Sequence, residues 1–139
     1  MIVDMERNDL SKICKTGSVK IDKLKKVEEY RDLFHYVTTI KGVIKNKMSN
    51  HDIISSLMPG GSVIGCPKIS TIQLLNRKEK FDRNIYTGSF GIIHSNGDMR
   101  FNIMIRTLLN FKNDIELSVA SGVILGSTAK KEYLSLIHI

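Results

Sequence analysis

The residue types most suited to binding a ligand gather in one loop, Pro59-Gly60-Gly61-Ser62-Val63-Ile64-Gly65-Cys66-Pro67-Lys68. Glycine lets backbone N–H groups approach a ligand with no Cβ in the way. Where such a loop opens a helix, several N–H donors and the positive end of the helix face negative charge. Lys68 adds a formal positive charge nearby. The loop lacks the GxxxxGK[ST] spacing of a nucleotide-phosphate loop, and the chain has no strand-GxGxxG-helix unit. On these grounds it is either a carboxylate- or phosphate-binding loop or a structural turn. A second polar cluster, Asp4, Arg7, Asn8 and Asp9, reads as structural. Asp and Asn side chains satisfy helix ends and turns, and Arg7 can pair with either aspartate.

The elements that must position this loop follow from pattern. Residues 1 to 12 read as the end of a helix. Lys15-Thr16-Gly17-Ser18 signals a turn, and Ser18 to Ile21 a short extended stretch. Tyr30 to Ile44, rich in Tyr, Phe, Val, Thr and Ile, predicts one strand. Asn50 is the expected N-cap of a helix reaching about Met58, with Ile53, Ile54, Leu57 and Met58 at helical spacing. After the glycine loop a second helix is expected from Ile69 to Asn76. Three strands should close the chain as an antiparallel meander. They are Ile85 to Ser95, Arg100 to Asn110 and Ile115 to Leu125, with turns at Ser95-Asn96-Gly97-Asp98 and Asn113-Asp114. Strand, helix, loop, helix and meander make the class α+β.

The length of 139 residues suits one domain. No apolar run reaches the roughly 18 residues of a membrane span, and the start MIVDMERNDL has acidic residues where a leader would be basic. A soluble cytoplasmic protein is expected, with no membrane partner. Cys14 and Cys66 make no CxxC pair or metal spacing and are expected as free thiols. A net charge of +7 raises nucleic acid as a partner. However, the cations are scattered, no basic helix carries interleaved aromatics, and the charge reads as a solvated surface that also suits an anionic substrate.

At this point the loop takes on a specific meaning. It resembles the G-S-x-[TS]-G-x-P-K motif of the chorismate-utilising enzymes, and other motifs follow in order. Ile2 to Leu10 resembles I-V-D-L-x-R-N-D-L, with Gly17-Ser18-Val19 next. Val27, Glu28 and Tyr30, with His35 and Thr38, resemble the family's V-E-x-Y strand and its histidine. Tyr86 to Gly91 resembles Y-x-G-x-x-G, and Asn102 to Thr107 resembles N-I-x-I-R-T. Gly122-Val123-Ile124, Ser127 and Glu132-Tyr133 resemble the closing G-I-V-x-x-S-x-x-x-x-E-Y run. The likeness covers residues 1 to 133.

The resemblance implies an antiparallel β-sandwich with outer helices and the site between its sheets. Of this fold the chain would be a C-terminal part, truncated at both ends and inactive by itself. It implies that Tyr86 and Arg106 hold the enolpyruvyl carboxylate of chorismate, a task for which a guanidinium fork is apt. Without the motif, Arg106 would read as a surface arginine on a strand. Ser62, Gly65 and Lys68 of the loop, and Gly122, would meet the substrate. Glu132 would help to hold Mg²⁺, a hard cation that prefers oxygen ligands; alone it would be a solvated helix residue. His35 would act near the reacting ring as acid or base, the plain alternative being a hydrogen-bonded core histidine.

The implied reaction is Mg²⁺-dependent amination of chorismate at C4, in the aminodeoxychorismate synthase component I branch. Ammonia would come from a glutamine amidotransferase. Gly60-Gly61-Ser62 favours this branch over anthranilate synthase component I, which aminates C2 and releases pyruvate. A non-catalytic binding domain is the further alternative, motivated by departures from the pattern. Ile64 stands where a Thr or Ser is usual, Cys66 where an Ala is, and Ala120-Ser121 replaces two glycines. The final six residues, Leu134 to Ile139, read LSLIHI. They match the translation of a transposon-end adapter used in sequencing libraries, and are expected not to be native sequence.

Overall fold

The computed structural model describes residues 1 to 137; His138 and Ile139 of the suspect tail lie outside the described residues. The chain divides into two compact units, Met1–Lys78 and Glu79–Ile139.

In the first unit, helix α1 (Ile2–Ile13) carries Met5, Asp9 and Ile13 at four-residue steps, hence on one stripe. Ile13 and Cys14 are the buried hydrophobic residues among those described, each 4% exposed. The helix end is tied to the strand region after it. Cys14 bridges Ile44, Lys15 N–H donates to Val43 O at 2.7 Å, and Lys45 N–H donates to Ile13 O at 2.9 Å. Gly42 permits this approach, since a Cβ there would lie 2.7 Å from Cys14 Sγ. Strands β1 (Lys20–Tyr30) and β2 (Leu33–Lys41) form an antiparallel hairpin closed at the Tyr30–Leu33 pair. Helix α2 (Asn50–Leu57) begins with a capping box between Ser49 and Asp52. The short helix α3 (Gly61–Ile64) and helix α4 (Lys68–Lys78) follow, with α1 packed against α2, α3 and β2.

In the second unit, β3 (Ser89–Ile93) pairs antiparallel with β4 (Met99–Ile103). The turn between them closes with His94 N–H on Asp98 O at 2.8 Å and Gly97 at φ 90°. Strands β5 (Leu108–Asn110) and β6 (Ile115–Leu117) form a second small hairpin, and helix α5 (Ala129–Ile137) ends the described chain.

The α+β class holds: helices accompany short antiparallel sheets, and no barrel is present among the described residues. Four local expectations change. The stretch Tyr30 to Ile44 does hold one strand, but it is the shorter β2, Leu33–Lys41, paired as the second arm of a hairpin whose first arm, Lys20–Tyr30, takes in Tyr30. Arg31-Asp32 turns the chain without a glycine. Ser49, not Asn50, caps α2, because its hydroxyl reaches the Asp52 N–H at 3.1 Å. Arg100 to Asn110 is broken at Ile105-Arg106, where Ile105 N–H turns back to Ile103 O and Arg106 adopts φ 50°. Extended pairing in the last segment stops at Leu117, so the strands form separate two-stranded pairs rather than a meander. Among the described residues no helix is long and apolar enough to cross a membrane, and Cys14 and Cys66 are free thiols.

Candidate functional site

The glycine loop is organised by a residue from α1. The Asp9 side chain, 4% exposed, accepts the Gly61 N–H at 2.8 Å through Oδ2. Its Oδ1 meets Lys68 Nζ at 2.9 Å and Lys12 Nζ at 3.0 Å. Burial pushes the Asp9 carboxyl up, yet the Gly61 N–H and the ammonium groups of Lys68 and Lys12 outweigh burial and hold it below the ordinary carboxylate value. Lys68 also donates to Leu57 O at 3.0 Å and Ser56 O at 3.3 Å. The cation expected on substrate is thus engaged inside the unit. Ser62 and Gly65 sit within and just after α3. Gly65 stands at φ 105°, where a Cβ would also lie 3.0 Å from Thr71 Cγ2, so the position suits glycine.

Tyr86 and Arg106 are brought to one end of the β3–β4 hairpin. Beyond the Ser89–Ile103 pair, Thr87 N–H donates to Met104 O at 2.9 Å and Met104 N–H to Gly88 O at 3.0 Å. Tyr86 therefore precedes, and Arg106 follows, the last rungs of the same ladder. Thr87 and Arg106 both hold left-handed backbones, at φ 65° and 50°. Such conformations cost non-glycine residues energy and concentrate at functional sites. Arg83 stacks on the Tyr86 ring at 5.8 Å and is itself fixed by Glu79, which leaves Arg106 as the exposed guanidinium at this end.

Gly122 and Glu132 are joined through Ser121. Its hydroxyl donates to Glu132 Oε2. Hydrogen bonds from Ser121, first, and Ser127 lower the Glu132 carboxyl below its ordinary value, which keeps it anionic at neutral pH. A Cβ at Gly122 would meet nothing within 4 Å, and the serine that replaces a family glycine orients the glutamate.

His35 stands exposed on β2, opposite Glu28 in the register. Glu28 accepts from Tyr30 Oη at 3.1 Å. No group of three His, Cys, Asp or Glu side chains gathers among the described residues. Mg²⁺ takes one or two carboxylates and completes its shell with water and substrate oxygens. The anionic, half-buried Glu132 fits as one such ligand.

Asp9 was missed as a site residue, although its place on the stripe of Met5 and Ile13 marks it as a buried polar group in need of partners. Ser121 enters the sequence reading only as a replacement for a glycine, whereas its hydroxyl meets Glu132.

A family model described as chorismate binding enzyme matches residues 1–134. The chain belongs to this family. Among chorismate-binding relatives, an anthranilate synthase component I-like protein of Synechocystis sp. is 36% identical over 134 residues, spanning 96% of this chain and 28% of its own length. The aminodeoxychorismate synthase component 1 of Bacillus subtilis is 35% identical over 133 residues, again 96% of this chain and 28% of the relative. In structure, anthranilate synthase component I from Streptococcus pneumoniae superposes with a TM-score of 0.77 at 30% identity. That match covers 99% of this chain and 32% of the other. The chain thus spans about three-tenths of the chorismate-binding proteins it matches. The candidate residues Arg106, Tyr86 and Glu132 all lie inside the matched residues.

Proposed function

We propose that this chain is part of an enzyme that aminates chorismate at C4. Ammonia forms the new C–N bond, the ring hydroxyl leaves as water, and the product is 4-amino-4-deoxychorismate. The observation that carries the reading is the hairpin ladder that sets Tyr86 and the exposed Arg106 at one end. There the guanidinium grips the enolpyruvyl carboxylate bidentately and the Tyr86 hydroxyl donates a further bond. Gly65 and Gly122 let backbone amides approach the substrate. Ser62 offers its hydroxyl from the loop, and His35 moves a proton at the ring. Glu132 would be one ligand for Mg²⁺, and the ion would supply charge neutralisation for the anionic substrate. A glutamine amidotransferase delivers the ammonia.

Relatives of both amination branches match this chain with nearly equal identity. Amination at C2 with loss of pyruvate, giving anthranilate, is therefore the second reading; Gly60-Gly61-Ser62 supports the first. The test is incubation of the intact enzyme with chorismate, Mg²⁺ and an ammonium salt, with products separated by chromatography. 4-Amino-4-deoxychorismate supports the C4 reading, and anthranilate with pyruvate replaces it by the second. Tight chorismate binding without either product would make this a binding domain. An intact protein that neither binds nor converts chorismate ends all three.

A further inference from the structure

We infer that Asp9 is the positioning residue of the glycine loop, and that Lys68 serves the loop through Asp9 rather than by touching the substrate. The two residues belong to different elements, one in α1 and one at the start of α4, and the loop immediately precedes Lys68 in the chain. Asp9 gathers three partners at once, two of them from the loop region and one, Lys12, from its own helix. Oδ2 holds the Gly61 N–H at 2.8 Å, and Oδ1 holds Lys68 at 2.9 Å and Lys12 at 3.0 Å. Lys68 in turn binds the last carbonyls of α2, at Ser56 and Leu57. The start of α3, the start of α4 and the end of α2 are thereby pinned to one carboxylate on α1.

Space at this junction is fully used. A Cβ added at Gly61 would lie 2.9 Å from Cys66 Sγ and 3.2 Å from Asp9 Oδ2. Gly61 is buried, and so is Asp9. A carboxylate with this many partners acts as a fixed part, because moving it would strand the part-buried Lys68 ammonium and the Gly61 amide. The Lys68 side chain is 13% exposed, and its donors are directed at Asp9 and two carbonyls. Reaching a substrate carboxylate would require giving these up. What the clamp presents is the stretch between its two ends, Ser62 to Gly65.

The kinetic part of the test rests on the proposed chorismate reaction; the structural part does not. Asp9→Asn, Lys68→Met and the double variant are compared in the intact enzyme. Each single change should raise the KM for chorismate about tenfold at nearly constant kcat, a uniform-binding effect. The double variant should be no worse than the weaker single, since the residues act as a unit; the coupling is then about tenfold. Simple loss of folded protein would instead lower kcat and leave KM alone. Singles whose effects multiply to about a hundredfold would assign Lys68 an independent contact with substrate and overturn the inference. The second measurement is hydrogen exchange at the Gly61 amide in the intact enzyme. Asp9→Ala should speed it at least tenfold relative to Asp9→Asn, which keeps an acceptor oxygen. Equal rates in the wild type and Asp9→Ala would overturn the clamp whatever the substrate is. A wild-type enzyme that ignores chorismate would remove the proposed reaction and leave the clamp to be judged on Gly61.

Discussion

Replacing Arg106 separates binding from backbone strain at the same residue. Its guanidinium is exposed at the open end of the β3–β4 ladder, and its backbone sits at φ 50°. Two charge-assisted hydrogen bonds to a carboxylate at about 1.5 kcal/mol each give about 3 kcal/mol. By that sum Arg106→Ala raises the KM for chorismate on the order of a hundredfold. Arg106→Lys keeps the charge but loses the fork, and should cost about tenfold. Stability behaves differently. A left-handed non-glycine residue costs roughly 1–2 kcal/mol, and a glycine there escapes that cost while adding about 0.5–1 kcal/mol of unfolded-state entropy. Arg106→Gly should therefore be more stable than Arg106→Ala by up to about 1.5 kcal/mol while binding substrate equally poorly. Steady-state kinetics of the intact enzyme read the first quantity, and urea unfolding reads the second. A KM for Arg106→Ala within twofold of wild type would refute the carboxylate assignment. An alanine variant more stable than the glycine variant would refute the strain argument.

Asp9 predicts an acid limb. Its folded value lies below the ordinary 3.8. Its stabilisation is therefore complete above that value and is lost as pH falls through the folded one. Urea midpoints should fall more steeply below about pH 4 in the wild type than in Asp9→Asn, and parallel curves would sink the assignment. At neutral pH, Asp9→Ala leaves the Lys68 ammonium buried without its partner and should cost about 3 kcal/mol or more in denaturant unfolding. Ser49→Ala removes the hydroxyl that accepts from Asp52 N–H and should cost about 1 kcal/mol. Gly91→Ala would drive a Cβ to 2.0 Å from Arg100 O. The β3–β4 cross-strand amide contacts should then be disrupted in NMR spectra, and an unchanged pattern would contradict the register.

Some of this architecture is written locally in the chain. The Asn96-Gly97 turn was legible because only a few residue types accept its left-handed position, and Gly97 at φ 90° takes it. The helix after Met48 was legible from the spacing of Ile53, Ile54 and Leu57. The middle of strand β1 was hidden, although the extended stretch to Ile21 and the V-E-x-Y likeness mark its ends. Its lysines Lys20, Lys23, Lys25 and Lys26 do not alternate with apolar residues, because register shifts fall between Ile21 and Lys23 and between Lys23 and Lys26. Lys25 takes φ 48° there, and its N–H is satisfied by Thr38 Oγ1 at 3.1 Å. The turn at Arg31-Asp32 carries none of the usual glycine signals. In the site, the positions of Arg106 and Glu132 came from motif likeness alone. The tie between Asp9 and Gly61 spans 52 residues, and no local pattern encodes a partner that distant. Ser121 was legible only as a departure from two glycines; that its hydroxyl meets Glu132 depends on how α5 returns to the loop.

The scarcity of interior apolar residues has a calorimetric consequence. Ile13 and Cys14 are buried, while Phe34, Tyr36 and Phe90 stay more than 70% exposed. Heat capacity of melting and denaturant sensitivity both scale with the greasy area newly wetted on opening. The 139-residue chain should therefore melt over a broad range with a shallow urea slope. A sharp, strongly heat-absorbing transition would mean that those aromatic faces find cover in solution.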